Sequence, residues 1–334
     1  MSKAVPPPNP TARSLGFCTF PSFAETQPHL QRSCREAWVG GGGKPESKSA
    51  RNHSMAEDRM QLHRWELKYI IPEELALGIR EFVRAYLDVD EYGIGRPNLS
   101  YTIHNLYLDS DDLAIYWGTI NGDRNRYKLR IRFYGDNPKS PVYFEIKRRS
   151  NDAILKQRGG VKRGAVAAVL AGQLPGAEDL VSGDARQSAA IQRFVQLMEA
   201  DRATPTAHVC YEREAWISPS DNAVRVTLDR NVLIAPEFNA RFEARMDGAS
   251  EVFGKRVVLE LKFTGRFPDW FGEMVRIFGL KQGSASKYAD GIATKGESHF
   301  YRHGQQGPVR ADPAASEANR RARLGRIERP LEGA

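Results

Sequence analysis

The residues in this chain that could do chemistry recur at every second position. Arg64, Glu66 and Lys68 alternate with Trp65, Leu67 and Tyr69 in "RWELKYII". The same spacing returns with Lys128, Arg130 and Arg132, with Glu145, Lys147 and Arg149, and with Lys156 and Arg158. Further on, Arg213 stands among Tyr211 and Ala215, Arg225 is followed by Thr227 and Asp229, and Glu260 is followed by Lys262. Successive side chains of a β-strand point to opposite faces, so each set occupies one face and an apolar set the other. Twelve cations share these faces with Glu66, Glu145 and Glu260, and Asp229 is a further candidate acid. Arg binds phosphate oxygens in pairs, Lys adds point charge, and a few carboxylates can carry a divalent metal that bridges such oxygens.

A plain alternative is a sheet with one wet side, as antiparallel sheets often have. Wet faces normally mix Thr, Ser, Gln, Glu and Lys, whereas here cations dominate and Arg is prominent. The chain has no C-x-x-C pair, no H-E-x-x-H and no Ser-His-Asp or Cys-His constellation at a recognisable spacing. His63, His104 and His208 read as ordinary strand residues, and Tyr107 and Asp109 carry no functional signal of their own. Asp229 is read either as a metal contact or as the residue that holds Arg225 in place. Trp117, Trp216 and Trp270 read as core.

Eight strands are expected to position these residues: 63–71, 100–109, 125–135, 141–150, 153–161, 207–217, 223–232 and 255–264. Asn151-Asp152 has the chemistry of a hairpin turn between the fourth and fifth. Leu75, Ile79, Phe82, Val83, Tyr86 and Leu87 repeat at helical spacing behind Pro72, and Trp270, Phe271, Met274, Val275 and Phe278 do the same behind Pro268. Further helices are expected near 111–118, 162–172 and 186–201. The apolar strand faces need cover, which these amphipathic helices supply from outside. The predicted fold class is therefore α+β, an eight-stranded antiparallel barrel with helices packed outside and charge inside. A dozen cations facing inward would repel one another severely unless an anion joined them.

The bulk numbers agree with one large domain. The chain has 334 residues and a net charge of +8, of which residues 1–58 carry +2 and residues 302–334 carry +3. The near-balanced middle argues against a generic nucleic-acid coat. Residues 1–58 are rich in Pro, Gly and Ser and are expected to be disordered, as is the Arg-rich tail 302–334, leaving 59–301 as the folded domain. Met55 and Met60 lie just before the first strand, and one of them is expected to be the natural start. Three cysteines, no signal-like apolar stretch and no run of about 20 apolar residues point to a soluble protein of a reducing cytoplasm.

Taken in order, Arg64-x-Glu66-x-Lys68, Lys128-x-Arg130-x-Arg132, Phe144-Glu145-x-Lys147, Lys156-x-Arg158, Tyr211-x-Arg213, Arg225-x-Thr227-x-Asp229, Glu260-x-Lys262 and Ser286-Lys287-Tyr288 resemble the VTC domain, over about residues 60–295. This is the polyphosphate polymerase domain of the vacuolar transporter chaperone, a triphosphate tunnel metalloenzyme related to the CYTH phosphatases, here in a bacterial-type stand-alone form. The resemblance implies a basic tunnel that binds ATP and inorganic polyphosphate and transfers the γ-phosphoryl group to the growing chain. It implies catalytic roles for Lys68, Arg130, Arg132, Lys156, Arg158 and Glu260. Arg64, Lys128, Lys147, Arg213, Arg225, Lys262 and Lys287 would add phosphate contacts. Glu260 would hold Mn²⁺ or Mg²⁺, with Glu66 and Glu145 as further candidates, and an aromatic side chain near the mouth could stack on adenine. The hydrolases of the superfamily begin with E-x-E-x-K, and Arg64 stands where their first Glu belongs. That favours holding a second phosphate chain over activating water, against the alternatives of a triphosphatase or a class IV adenylate cyclase. A non-catalytic polyphosphate- or nucleotide-binding module is the remaining alternative. The implied partners exclude nucleic acid and include a separately encoded membrane protein, with the domain held at the cytoplasmic face of the membrane through it.

Overall fold

The computed structural model describes residues 64–302, apart from 151, 152 and 222. The expectations for 1–58, for the Arg-rich tail beyond 302 and for the Asn151-Asp152 turn, with Cys18, Cys34 and His63, lie outside the described residues. The domain opens with β1 (Arg64–Ile71) and α1 (Glu73–Val83), the two-residue β2 (Asp88–Val89), and β3 (Ser100–Asp109) with α2 (Ala114–Ile120). β4 (Asn125–Phe133), β5 (Val142–Ser150) and β6 (Ala153–Val161) follow, then α3 (Val166–Leu170) and α4 (Ala185–Ala200). β7 (Thr204–Ile217), β8 (Val224–Pro236), the short β9 (Ser250–Glu251), β10 (Val257–Thr264), α5 (Asp269–Ile277) and α6 (Lys287–Lys295) complete it.

All ten strands form one antiparallel sheet in which the eight long ones run in the order β1-β10-β8-β7-β3-β4-β5-β6. The eight expected strands are those eight. The expected closure is not: β1 and β6, the two ends of the path, come within 8 Å between Cα atoms but share no ladder of hydrogen bonds. Side chains span the gap instead, where Lys147 on β5 reaches Glu66 on β1 at 2.8 Å. The curled sheet stays open there.

The period-two pattern explains which side is covered. Leu129, Ile131, Phe133, Phe144 and Ile146 pack with Ile191 and Phe194 of α4 in one buried cluster. Leu228, Leu259 and Leu261 pack with Ile79 and Val83 of α1 and Phe271 and Met274 of α5 in a second. Both clusters lie on the faces opposite the cations, as binary patterning requires. At Gly159 of β6 the contact is so close that a Cβ would sit 2.5 Å from the Gln187 carbonyl oxygen of α4. On the same outer side, Arg80 of α1 and Arg230 of β8 both pair at 2.8 Å with the buried Glu214 of β7, pinning α1 to the sheet. His104 and His208 form a buried pair, 3.1 Å apart, that stacks on Phe133 in the first cluster. No helix among the described residues is long and apolar enough to cross a membrane.

Candidate functional site

Strand register sorts the inward side chains into rows. Arg130 on β4 faces Glu145 on β5, which faces Arg158 on β6. One step along, Lys128, Lys147 and Lys156 stand side by side on the same three strands. One step the other way, Asn105 of β3 faces Arg132, which faces Tyr143. Across the interior, Lys68 faces Glu260 and Glu260 faces Thr227, while Glu66 faces Lys262 and Lys262 faces Arg225. Like charges directly opposite one another destabilise a sheet, so the lysine row needs a counter-charge.

Two acidic hubs supply part of it. The buried Glu145 takes Arg130 at 2.7 Å, Lys156 at 3.3 Å, Arg132 at 3.6 Å and Arg158 at 3.7 Å. Glu260 takes Lys287 at 3.0 Å, Arg213 at 3.4 Å, Lys68 at 3.6 Å and, in a short contact, Lys262. Glu66 links to the second hub through Lys68 at 3.2 Å and reaches Lys147 at 2.8 Å. Asp229 beside it binds Arg213 at 2.7 Å and Lys287 at 2.7 Å. Asp229 thus holds Arg213 and not Arg225, because register places it opposite Arg213. Arg225 pairs with Asp90, from the turn after β2.

The segment leading into α6 covers one side of this interior. Lys68 donates to the Ala285 carbonyl oxygen at 2.8 Å, and Lys128 donates to the Ser286 hydroxyl at 2.7 Å. Ser286 also caps α6, accepting from the Ala289 amide. Of the expected residues, Arg149 stays exposed near the end of β5. Arg64 is placed as the first residue of β1, opposite Thr264. Several wall residues were not singled out from sequence. Tyr107 accepts from Arg130 at 3.2 Å and stacks on Tyr288, and Asn105 accepts from Arg132 at 3.1 Å. Tyr101 and Asp90 flank Arg225. They are uncharged or lie on a loop, so a search for alternating cations passes over them.

The electrostatics follow from this crowding. Burial alone would raise the carboxyl of Glu260, but Lys262, Lys287, Lys68 and Arg213 together hold it well below its ordinary value. Glu145 is depressed likewise, burial being outweighed by Arg132, Lys156, Arg130 and Arg158. The lysines diverge. Burial pushes Lys262 down to about 7 against the pull of Glu260, and burial with Lys68 and Lys147 nearby pushes Lys128 well down. Lys262 is thus poised near neutrality by burial, even in contact with Glu260. A polyanion in the interior would favour the protonated form of Lys262, so binding of inorganic tripolyphosphate at pH 8 should take up about one proton from buffer. Titration calorimetry in buffers of different ionisation enthalpy measures this, and buffer-independent heat would contradict it.

Among the described residues no group of three or more His, Cys, Asp or Glu side chains is placed to hold a metal. Glu66 and Glu260, however, flank the same Lys68 ammonium and offer only hard oxygen donors. That set fits a small divalent ion that takes one or two carboxylates and completes its shell with phosphate oxygens and water. Glu145 binds a different set of cations. Its Oε1, with Arg158 Nε and Arg225 Nε, is among the few buried side-chain polar atoms of the described residues without a hydrogen-bond partner.

An antiparallel sheet with helices on one side and, on the other, cations crowded around buried carboxylates defines a curled, open α+β fold with one charged interior face. The chain belongs to the VTC domain family, whose family model matches residues 63–295. A similar protein is the vacuolar transporter chaperone complex subunit 4 of Schizosaccharomyces pombe, 26% identical over 226 residues, which are 58% of this chain and 31% of that protein. The chain thus spans about a third of the length of that relative. Among solved structures, a candidate adenylate cyclase of Bacillus halodurans superposes with a TM-score of 0.39 at 14% identity, covering 67% of this chain and 94% of the other. A candidate adenylate cyclase of Vibrio parahaemolyticus does so with a TM-score of 0.34 at 11% identity, covering 70% and 98%.

Proposed function

We propose that this chain is a polyphosphate polymerase that moves the γ-phosphoryl group of ATP onto the end of an inorganic polyphosphate chain. The observation that carries the reading is the row of Lys128, Lys147 and Lys156 beside the Arg130–Glu145–Arg158 row. Cations in adjacent rows suit a repeating anion better than a single phosphate. Family membership supports the same substrate class.

Phosphoryl transfer passes through a loose transition state that needs positioning and charge neutralisation more than a protein nucleophile. A terminal oxygen of the chain, already anionic, bonds the γ-phosphorus as the bond to the β–γ bridging oxygen breaks, and ADP leaves with that electron pair. No general base is needed. Arg130, Arg132, Lys156 and Arg158 grip the donor triphosphate. Lys68, Lys262, Lys287 and Arg213 orient the acceptor end. Glu260, with Glu66, would hold Mn²⁺ or Mg²⁺, which would supply positive charge to offset that of the phosphates. The relative is a subunit of a complex, and by analogy this domain works with a separately encoded membrane protein at the cytoplasmic face of a membrane.

Purified protein incubated with ATP and Mn²⁺, with and without a short polyphosphate primer, should yield long acid-labile chains on a sizing gel. Orthophosphate as sole product would replace the reading with a triphosphatase. Binding without turnover would replace it with a sensing module.

A further inference from the structure

The two ends of the cation-lined interior differ in chemistry. Neighbouring strands are antiparallel, so Tyr101 at the start of β3, Tyr134 just beyond β4 and Tyr143 at the start of β5 gather at one end. Tyr92 joins them from the loop before β3, its ring 5.8 Å from that of Tyr101, and the Tyr134 and Tyr143 rings lie 6.3 Å apart. The Arg158 guanidinium sits 3.7 Å from the centre of the Tyr143 ring, and against the opposing effect of burial the nearby charges of Arg132 and Arg158 lower the Tyr134 hydroxyl. At the other end, the inward positions of β4 and β5 carry Arg126, Lys128, Lys147 and Arg149.

The aromatic end is also built rigidly. Asp90, 5% exposed, accepts from the Tyr92 amide at 3.1 Å, and its own amide donates to the Ala215 carbonyl oxygen at 2.8 Å. The same carboxylate binds Arg225 and lies 3.5 Å from the Tyr101 hydroxyl. The loop then folds tightly on itself, with the Gly93 amide bonded to the Asp90 carbonyl oxygen. A Cβ at Gly93 would lie 2.4 Å from the Leu99 carbonyl oxygen. This anchored loop presents Tyr92 at 57% and Ile94 at 67% exposure beside a half-exposed Tyr134. Large apolar groups held in water next to an arginine cluster serve a ligand that is flat and apolar at one end and anionic at the other.

We propose that the Tyr92–Tyr101–Tyr134–Tyr143 arc seats the nucleobase of the nucleoside triphosphate, giving the interior a fixed polarity. The proposal rests on the phosphate-binding reading above. Tyr134 and Arg130 lie four residues apart along one strand line, roughly 13 Å, about the span from base to terminal phosphate in an extended nucleotide. The nucleotide enters phosphates first past Arg132 and Arg158. The growing chain leaves along the lysine row at the opposite end. Tyr92 and Ile94 hold the base by stacking and apolar contact, which tolerates purine and pyrimidine alike.

The test compares ATP with inorganic tripolyphosphate, which shares the phosphates and lacks the base. Both are titrated into the full chain in metal-free buffer, so that no turnover occurs. Tyr92→Ala should weaken ATP binding about tenfold and tripolyphosphate binding by less than about twofold, while Tyr92→Phe should retain ATP affinity. A thermal melt confirms that this exposed substitution leaves the fold intact. Unchanged ATP affinity in Tyr92→Ala, or equal weakening of both ligands, overturns the base site while leaving the phosphate reading standing. Failure of the unmodified chain to bind either ligand overturns both.

Discussion

Replacing Glu145 by glutamine should lower the unfolding free energy of the ligand-free protein by about 3–5 kcal/mol. Saturating tripolyphosphate should return most of it. Glu145 is 1% exposed and is the counter-charge for Arg130, Arg132, Lys156 and Arg158. An amide of the same shape neutralises none of them, and four cations are left facing one another. Lys156 is 42% exposed along its side chain, so its share is screened by water, and the cost falls mainly on Arg130 and Arg132. A bound polyanion replaces the lost carboxylate and stabilises by mass action, by about 4 kcal/mol at a thousandfold excess over Kd. Urea unfolding with and without tripolyphosphate measures both effects. The sign with pH is fixed as well. The native carboxyl is depressed, so its contribution is present above the ordinary value of 4.5 and is lost as pH falls below it. The substituted amide does not titrate, so the variant's stability should be flatter with acid than that of the unmodified chain. Equal stability of the two proteins would mean that the four cations are relieved by water and do not converge.

The part of this site that was legible in sequence is the part written in charge and period two. Lys128, Arg130 and Arg132 lie within five residues, and the apolar residues between them become the buried cluster under α4. The strand count follows from the same alternation, since a one-residue slip would turn every one of these side chains outward. Cross-strand register was not legible, and with it went partner choice. Asp229 lies four residues from Arg225 in sequence but faces Arg213 across β7 and β8, and the distant Asp90 takes Arg225. Closure was not legible either, because the seam between β1 and β6 depends on which side chains meet there. "SYTIHNLYLD" carries no Lys or Arg, so Asn105 and Tyr107 gave no charge signal, although each binds an arginine of the wall.

The sharpest separation of enzyme from binder comes from Glu260→Gln. Glu260 occupies space and charge that a phosphate chain would otherwise claim, since it already engages Lys287, Arg213, Lys68 and Lys262. For a protein that only binds polyanions, this carboxylate is a competitor. Its removal should then leave tripolyphosphate affinity unchanged or tighter, with nothing else lost. For a polymerase, Glu260 must do something the cations cannot, and holding a divalent ion against phosphate oxygens is the task its hard donors and shared Lys68 suit. Glu260→Gln should then retain metal-free tripolyphosphate affinity within about threefold. Its rate of polyphosphate synthesis with Mn²⁺ should fall by about 10²–10³, the loss typical when one electrostatic element of a transition-state site is removed. The neighbouring Asp229 still holds Arg213 and Lys287 in the variant, so the wall is not left without a counter-charge. Measuring binding in chelator and turnover in Mn²⁺ on the same preparation separates the two readings. A parallel fall in affinity and rate would mean that Glu260 serves only to hold its cations in place, and would remove it from the chemistry.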